Sequence, residues 1–102
     1  MLELRPTCEQ CNKALPPAAL DARICSYECT FCADCADTVL ANVCPNCGGG
    51  FCPRPVRPAR NLKHNNYLGA NPAGTTVRHR PVDPAAHAAF AAAIAAIPPE
   101  QR

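Results

Sequence analysis

The stretch CTFCADC, residues 29–35, places Cys29, Cys32 and Cys35 three apart, so that Cys32 belongs to two overlapping CxxC motifs. Reading outward, the thiols run Cys8-x2-Cys11-x13-Cys25-x3-Cys29-x2-Cys32-x2-Cys35-x8-Cys44-x2-Cys47, with Cys52 further on. A CxxC turn brings two sulfurs to one ion from a tight loop whose amides also hydrogen-bond them, and Zn²⁺ takes four ligands in a tetrahedron. The eight thiols divide into four close pairs: Cys8 with Cys11, Cys25 with Cys29, Cys32 with Cys35, and Cys44 with Cys47. Two pairs make one site, so two Zn²⁺ ions are expected and Cys52 is left over. Whether the sites are sequential or interleaved is not decided by spacing alone.

Composition supports metal over disulfides. The chain has 102 residues, 12 prolines, five aromatics and no Trp, which leaves few large apolar side chains to bury. A domain this poor in core material needs crosslinks or metal. MLELRP shows no basic segment leading into an apolar run, so no secretory signal is read and a cytoplasmic chain with reduced thiols is expected. An odd count of nine cysteines does not suit a closed disulfide framework. The longest apolar run, residues 85–97, is alanine-dominated and too short to cross a bilayer.

All nine cysteines lie before residue 53, and the charge changes sign there. Residues 1–52 carry Arg5, Lys13 and Arg23 against Glu3, Glu9, Asp21, Glu28, Asp34 and Asp37, a balance of −3. Residues 53–82 carry Arg54, Arg57, Arg60, Lys63, Arg78 and Arg80 without an acid. The organisation expected is a zinc domain over 1–52, a basic, Pro-rich and largely disordered linker over 53–82, and an alanine-rich helix over 83–99. Asp83 is its N-cap, Pro84 its first residue, and Pro98 and Pro99 its stop. His87, Phe90, Ile94 and Ile97 fall on one stripe. Within the first segment, Leu2 to Arg5 reads as a short strand or extended lead-in, and Ala36 to Asn42 as a short helix.

The ligand series from Cys8 to Cys47 resembles an all-cysteine RING finger, with Cys29 at the usual histidine position, Phe31 before Cys32 and Pro45 after Cys44. That resemblance implies a small α+β, cross-braced fold with two zincs. One ion would be held by Cys8, Cys11, Cys32 and Cys35, the other by Cys25, Cys29, Cys44 and Cys47. More closely, MLELRPTCEQC, ARICSYECTFCADCA and CPNCGG resemble a family of short bacterial cysteine-rich proteins of unknown function, taken to bind metal. Ubiquitin-ligase RING domains use an apolar residue before the second ligand and a basic one after the eighth; here those places hold Gln10 and Gly48.

Closed four-thiolate sites leave no open position for water or substrate, so Lewis-acid catalysis is not expected. No carboxylate pair, nucleophile with base or phosphate loop stands out, and the run of glycines at 48–50 leads to no P-loop lysine. The function expected is a non-enzymatic zinc-binding module with a protein partner. Two alternatives are a redox-sensitive zinc switch and a nucleic-acid-associated protein. In the latter, Arg54, Arg57, Arg60 and Lys63, spaced by three, line one edge of a polyproline II segment and contact phosphate with Arg78 and Arg80. His64, His79 and His87 lie outside the cysteine cluster and are not assigned as ligands, and Cys52 reads as inert.

Overall fold

The computed structural model describes residues 1–102. Its centre is a three-stranded antiparallel sheet in the order β2-β1-β3, with β1 at Ala22–Ile24, β2 at Thr30–Cys32 and β3 at Cys52–Pro53. In β1 and β2, Ala22 faces Cys32 and Ile24 faces Thr30, while Ile24 also faces Cys52 across to β3. The β1–β2 turn is itself the Cys25-x3-Cys29 segment. The Cys25 amide donates to the Cys29 carbonyl at 3.2 Å and the Glu28 amide to the Cys25 carbonyl at 3.0 Å. Glu28 takes the left-handed φ of 67° that this tight return requires.

Helix α1, Ala33–Asp37, starts directly off β2. Cys32 is its N-cap, with the sulfur accepting from the Cys35 amide at 3.5 Å. The helix therefore begins three residues before the expected Ala36 and is over by Asp37. Its end has a local cause: Thr38 Oγ1 donates back to the Asp34 carbonyl at 2.6 Å, and Ala41 and Asn42 adopt φ of 51° and 57°, which no right-handed helix accommodates. Leu40 turns fully inward while Val39 stays 40% exposed. Residues 2–5 form an extended lead-in rather than a strand, with Leu4 buried.

The core is a cluster of ten residues, six of which are cysteines; the others are Leu15, Ala22, Phe31 and Leu40. Phe31 packs edge-on against Phe51, ring centres 5.2 Å apart. Apolar burial is thus inseparable from the sulfur groups, which are packing elements here as much as chemical ones.

Beyond β3 the chain departs from the expected linker. Residues 54–82 have almost no regular secondary structure, yet both ends of the segment are bonded to residues 2–16, while residues 58–66 between them are exposed. Arg54 is 4% exposed, and its guanidinium donates to the carbonyls of Arg5 (2.9 Å), Leu15 (3.2 Å) and Pro16 (3.0 Å). Arg57 donates to the carbonyls of Leu2 and Asn71 at 2.6 and 2.7 Å. The sequence lacks hydrophobic periodicity here because the segment is held by hydrogen bonds rather than by a buried face.

Helix α2 spans Pro84–Ile94, with the Asp83 carboxylate accepting from the Ala86 amide at 2.9 Å and Pro84 in the first turn. A short 3₁₀ turn at Pro99–Gln101 follows Pro98. The helix stops at Ile94, short of residue 99, and its buried face is centred on His87 and Ala91; Phe90 is 45% exposed and Ile97 39%. The small Ala91 lets the helix approach closely, the His87 ring finds a polar partner in the Leu40 carbonyl, and the Phe90 and Ile94 side chains reach over Gly48.

Candidate metal centre

The fold assembles two groups of sulfur. In the first, the Sγ atoms of Cys8, Cys11, Cys32 and Cys35 all lie within 4.8 Å of one another. In the second, those of Cys25, Cys44 and Cys47 do so. Cys29 stands beside the second group without entering it: its sulfur accepts from Asn46 Nδ2 at 3.3 Å. Each group draws on thiols from non-adjacent pairs, because the β1–β2 hairpin inserts Cys25 and Cys29 between the loop carrying Cys8 and the helix carrying Cys35.

Two of the supporting turns are the same structure repeated. Around Cys8 and Cys11, the Cys8 amide donates to the Lys13 carbonyl at 2.8 Å and the Asn12 amide to the Cys8 carbonyl at 2.9 Å. Around Cys44 and Cys47, the Cys44 amide donates to the Gly49 carbonyl and the Gly48 amide to the Cys44 carbonyl, each at 2.8 Å. Asn12 and Gly48, the residues following the second thiol, have φ of 64° and 77°. Asn and Gly are the residue types that enter this region at least cost. The spacing of the thiols did not single out Asn12 and Gly48; their sequence signal is a C-x-x-C followed directly by a residue type that tolerates left-handed φ.

Amides point at the sulfurs. The Cys11 amide donates to Cys8 Sγ at 3.5 Å, Tyr27 to Cys25 Sγ at 3.3 Å and Gly49 to Cys47 Sγ at 3.4 Å. Such donors stabilise a thiolate over a thiol. Burial acts the other way: it pushes the thiols of Cys35 and Cys44 far above their ordinary value, with charge on neighbouring cysteines adding to the effect. Cys29 and Cys32 are raised as well, first by burial. Cys11 is the exception: burial raises it, but the Lys13 amide and the surrounding thiols outweigh this and hold it below its usual value. Several thiolates packed this closely repel one another, and a bound cation removes that penalty. No carboxylate or imidazole belongs to either group, so the donor set is all sulfur and suits a soft or borderline metal ion.

The first group is fastened by a buried carboxylate that the sequence did not single out. Glu9, 4% exposed, accepts from the Thr30 amide at 2.5 Å and from Arg5 Nη1 at 2.9 Å, while its own amide donates to the Thr30 carbonyl at 2.9 Å. This clasp joins the Cys8 turn to β2 and sets Cys8 against Cys32. Its sequence signal was only an acid directly after a ligand cysteine.

The basic residues do not form a strip. Arg54 is buried and Arg57 is engaged as described; Arg78 pairs with Glu3 at 2.9 Å. Arg60, Lys63 and Arg80 are the exposed members: the first two lie in the exposed loop 58–66, and Arg80 lies on the later stretch whose amide bonds the Glu9 carbonyl. His79 Nε2 lies 3.2 Å from the Gln10 carbonyl and His87 Nε2 lies 3.0 Å from that of Leu40; His64 is exposed. Cys52 is exposed on β3 and belongs to neither sulfur group. No helix is long and apolar enough to cross a membrane.

Comparison with known proteins places these features in a context. The profile of a family described as "Protein of unknown function (DUF1272)" matches residues 1–57. An uncharacterized protein of Rhizobium meliloti (strain 1021) is 62% identical over 63 residues, covering 62% of this chain and 75% of that relative. No solved structure matches.

Proposed function

We propose, for a chain that belongs to this bacterial family of proteins of unknown function, that residues 1–57 are a non-enzymatic interaction module organised by two Zn²⁺ ions in a RING-like cross-brace. One observation carries the zinc reading. Cys11 Sγ and Cys32 Sγ, from turns 21 residues apart, stand 3.8 Å from each other. With Zn–S bonds of about 2.3 Å, the edge of a regular ZnS₄ tetrahedron is about 3.8 Å, whereas a disulfide needs about 2.05 Å. The spacing fits sulfurs around a shared ion and is too long for a disulfide.

Cys8, Cys11, Cys32 and Cys35 would hold the first ion. Cys25, Cys44 and Cys47 would hold the second, completed by Cys29 once its sulfur exchanges Asn46 for the metal. Alternating use of the four pairs is what supports the cross-brace. Four thiolates close each site, so the ions would act through structure, presenting a fixed surface to a protein partner.

Native mass spectrometry should give two zinc ions per chain, and elemental analysis should find zinc rather than iron or copper. Complete removal by a chelator should abolish the near-native circular dichroism and open residues 1–57 to proteolysis, because six of the ten core residues are cysteines. Unchanged spectra and protease resistance in the fully metal-free chain would refute the structural role.

A further inference from the structure

The segment that follows the family-matched stretch is bound like a ligand. Residues 74–82 run beside residues 3–10, and almost every bond is donated by the tail: the Gly74 amide to the Leu4 carbonyl (3.0 Å), Arg80 to that of Glu9 (2.8 Å) and Val82 to Gln10 Oε1 (2.8 Å). Arg78 adds its ion pair to Glu3. Helix α2 then places the buried His87 ring against the Leu40 carbonyl, and Arg102 ends the chain by donating to the carbonyls of Asn42 (2.8 Å) and Gly48 (3.1 Å). The acceptors all belong to residues 3–48, within the matched stretch 1–57; the donors all lie beyond it.

The connection between the two is a tether. Residues 58–66 are exposed throughout, and the loop bonds mainly to itself, through Asn61 with Asn65, Leu68 with Pro58 and Asn71 with Tyr67. A short covalent tether raises the local concentration of its segment to about the millimolar range, so modest contacts suffice to keep a cis ligand in place.

We propose that residues 3–10 and 40–48 form a peptide-docking face, that residues 74–102 are its resident ligand held in cis, and that the same segment from a second copy of the chain competes for it. The face takes an extended stretch with main-chain donors and a cation opposite Glu3, followed by an N-capped helix carrying a histidine and, four residues later, a small residue. This rests on the reading of residues 1–57 as a metal-organised interaction module.

The test uses the full zinc-loaded chain with a specific protease site inserted between the exposed Arg60 and Asn61. After cutting, the C-terminal fragment should co-elute with the metal-bearing fragment, and a labelled synthetic peptide of residues 74–102 should exchange into the complex. The uncut chain should take up at least about tenfold less peptide, because the tether favours the resident copy. A peptide carrying His87→Ala and Arg102→Ala should compete at least about tenfold less well, as loss of the three hydrogen bonds to Leu40, Asn42 and Gly48 implies. Retention of both ions with no tail bound after cutting would overturn the docking proposal while leaving the metal module standing. Loss of the ions with the tail would equally overturn it, by making the tail part of the folding unit.

Discussion

Replacing Arg54 by methionine should lower stability by about 3 kcal/mol, and the figure follows from the guanidinium's surroundings. Arg54 is 4% exposed, and its guanidinium makes three hydrogen bonds of 2.9 to 3.2 Å to the carbonyls of Arg5, Leu15 and Pro16. Hydrogen bonds involving a charged group contribute roughly 1.5–3 kcal/mol each. Burial lowers the Arg54 pKa, which is the signature of a desolvation cost already carried by the charged form. That cost, together with the packing a methionine would recover, offsets a part of the three bonds, and about 3 kcal/mol remains. Urea unfolding in excess buffered zinc measures it: with a slope of about 1.5–2 kcal/mol per molar, the midpoint should fall by about 1.5–2 M. Arg54→Lys keeps the charge but loses the planar fork, and should fall about half as far. A loss under about 0.5 kcal/mol for Arg54→Met, the range of an ordinary surface substitution, would refute the strut and return Arg54 to the solvated basic run that its sequence suggests.

Four further outcomes are expected. Gly48→Ala should cost about 1 kcal/mol in the same assay, since φ of 77° opposes any side chain, while the new Cβ would meet Ile94 Cδ1 and Phe90 Cζ at ordinary distances of 3.7 and 3.8 Å. The matching change Asn12→Gly should be neutral within about 0.5 kcal/mol; an equal loss at both positions would show that the shared turn is not the cause. In any metal-free chain that stays folded, the raised thiols of Cys29, Cys32, Cys35 and Cys44 contribute stability that should fall as pH rises through their folded values, the lowered Cys11 alone acting in the opposite sense. Metal binding reverses the sign, because it displaces thiol protons: zinc affinity followed by competition with a chelating dye should weaken as pH falls, and pH-independent affinity would contradict thiolate ligation. Finally, Cys52→Ser should leave the zinc count and the unfolding midpoint unchanged, whereas Cys32→Ser should lose one ion; equal effects would mean that Cys52 is a ligand.

Much of the site was written in local sequence. Cys8-x2-Cys11, Cys32-x2-Cys35 and Cys44-x2-Cys47 are short enough for one turn to bring two sulfurs together, and Asp83-Pro84 starts α2 through a cap that needs no distant partner. Where several residues contribute to one local turn, chain connectivity does the positioning and spacing is informative. The start of α1 was missed by three residues because its cap is a cysteine sulfur, Cys32, which ordinary capping preferences do not rank.

Other features depended on tertiary structure. Spacing left two ways to combine the thiol pairs, and the β1–β2 hairpin groups Cys32 and Cys35 with Cys8 and Cys11 while carrying Cys25 to Cys44 and Cys47. The basic segment looked like a disordered linker because nothing in PRPVRPAR reveals that carbonyls of Arg5, Leu15 and Pro16 converge on one guanidinium. The acid Glu9 gave no sign that Thr30 and Arg5 would bury it. The sequence by itself therefore determined which atoms could bind metal, since that is a property of residue type and short separation. Only the tertiary structure decided which of them meet and where the charges go, because both depend on acceptors contributed by backbone far away along the chain.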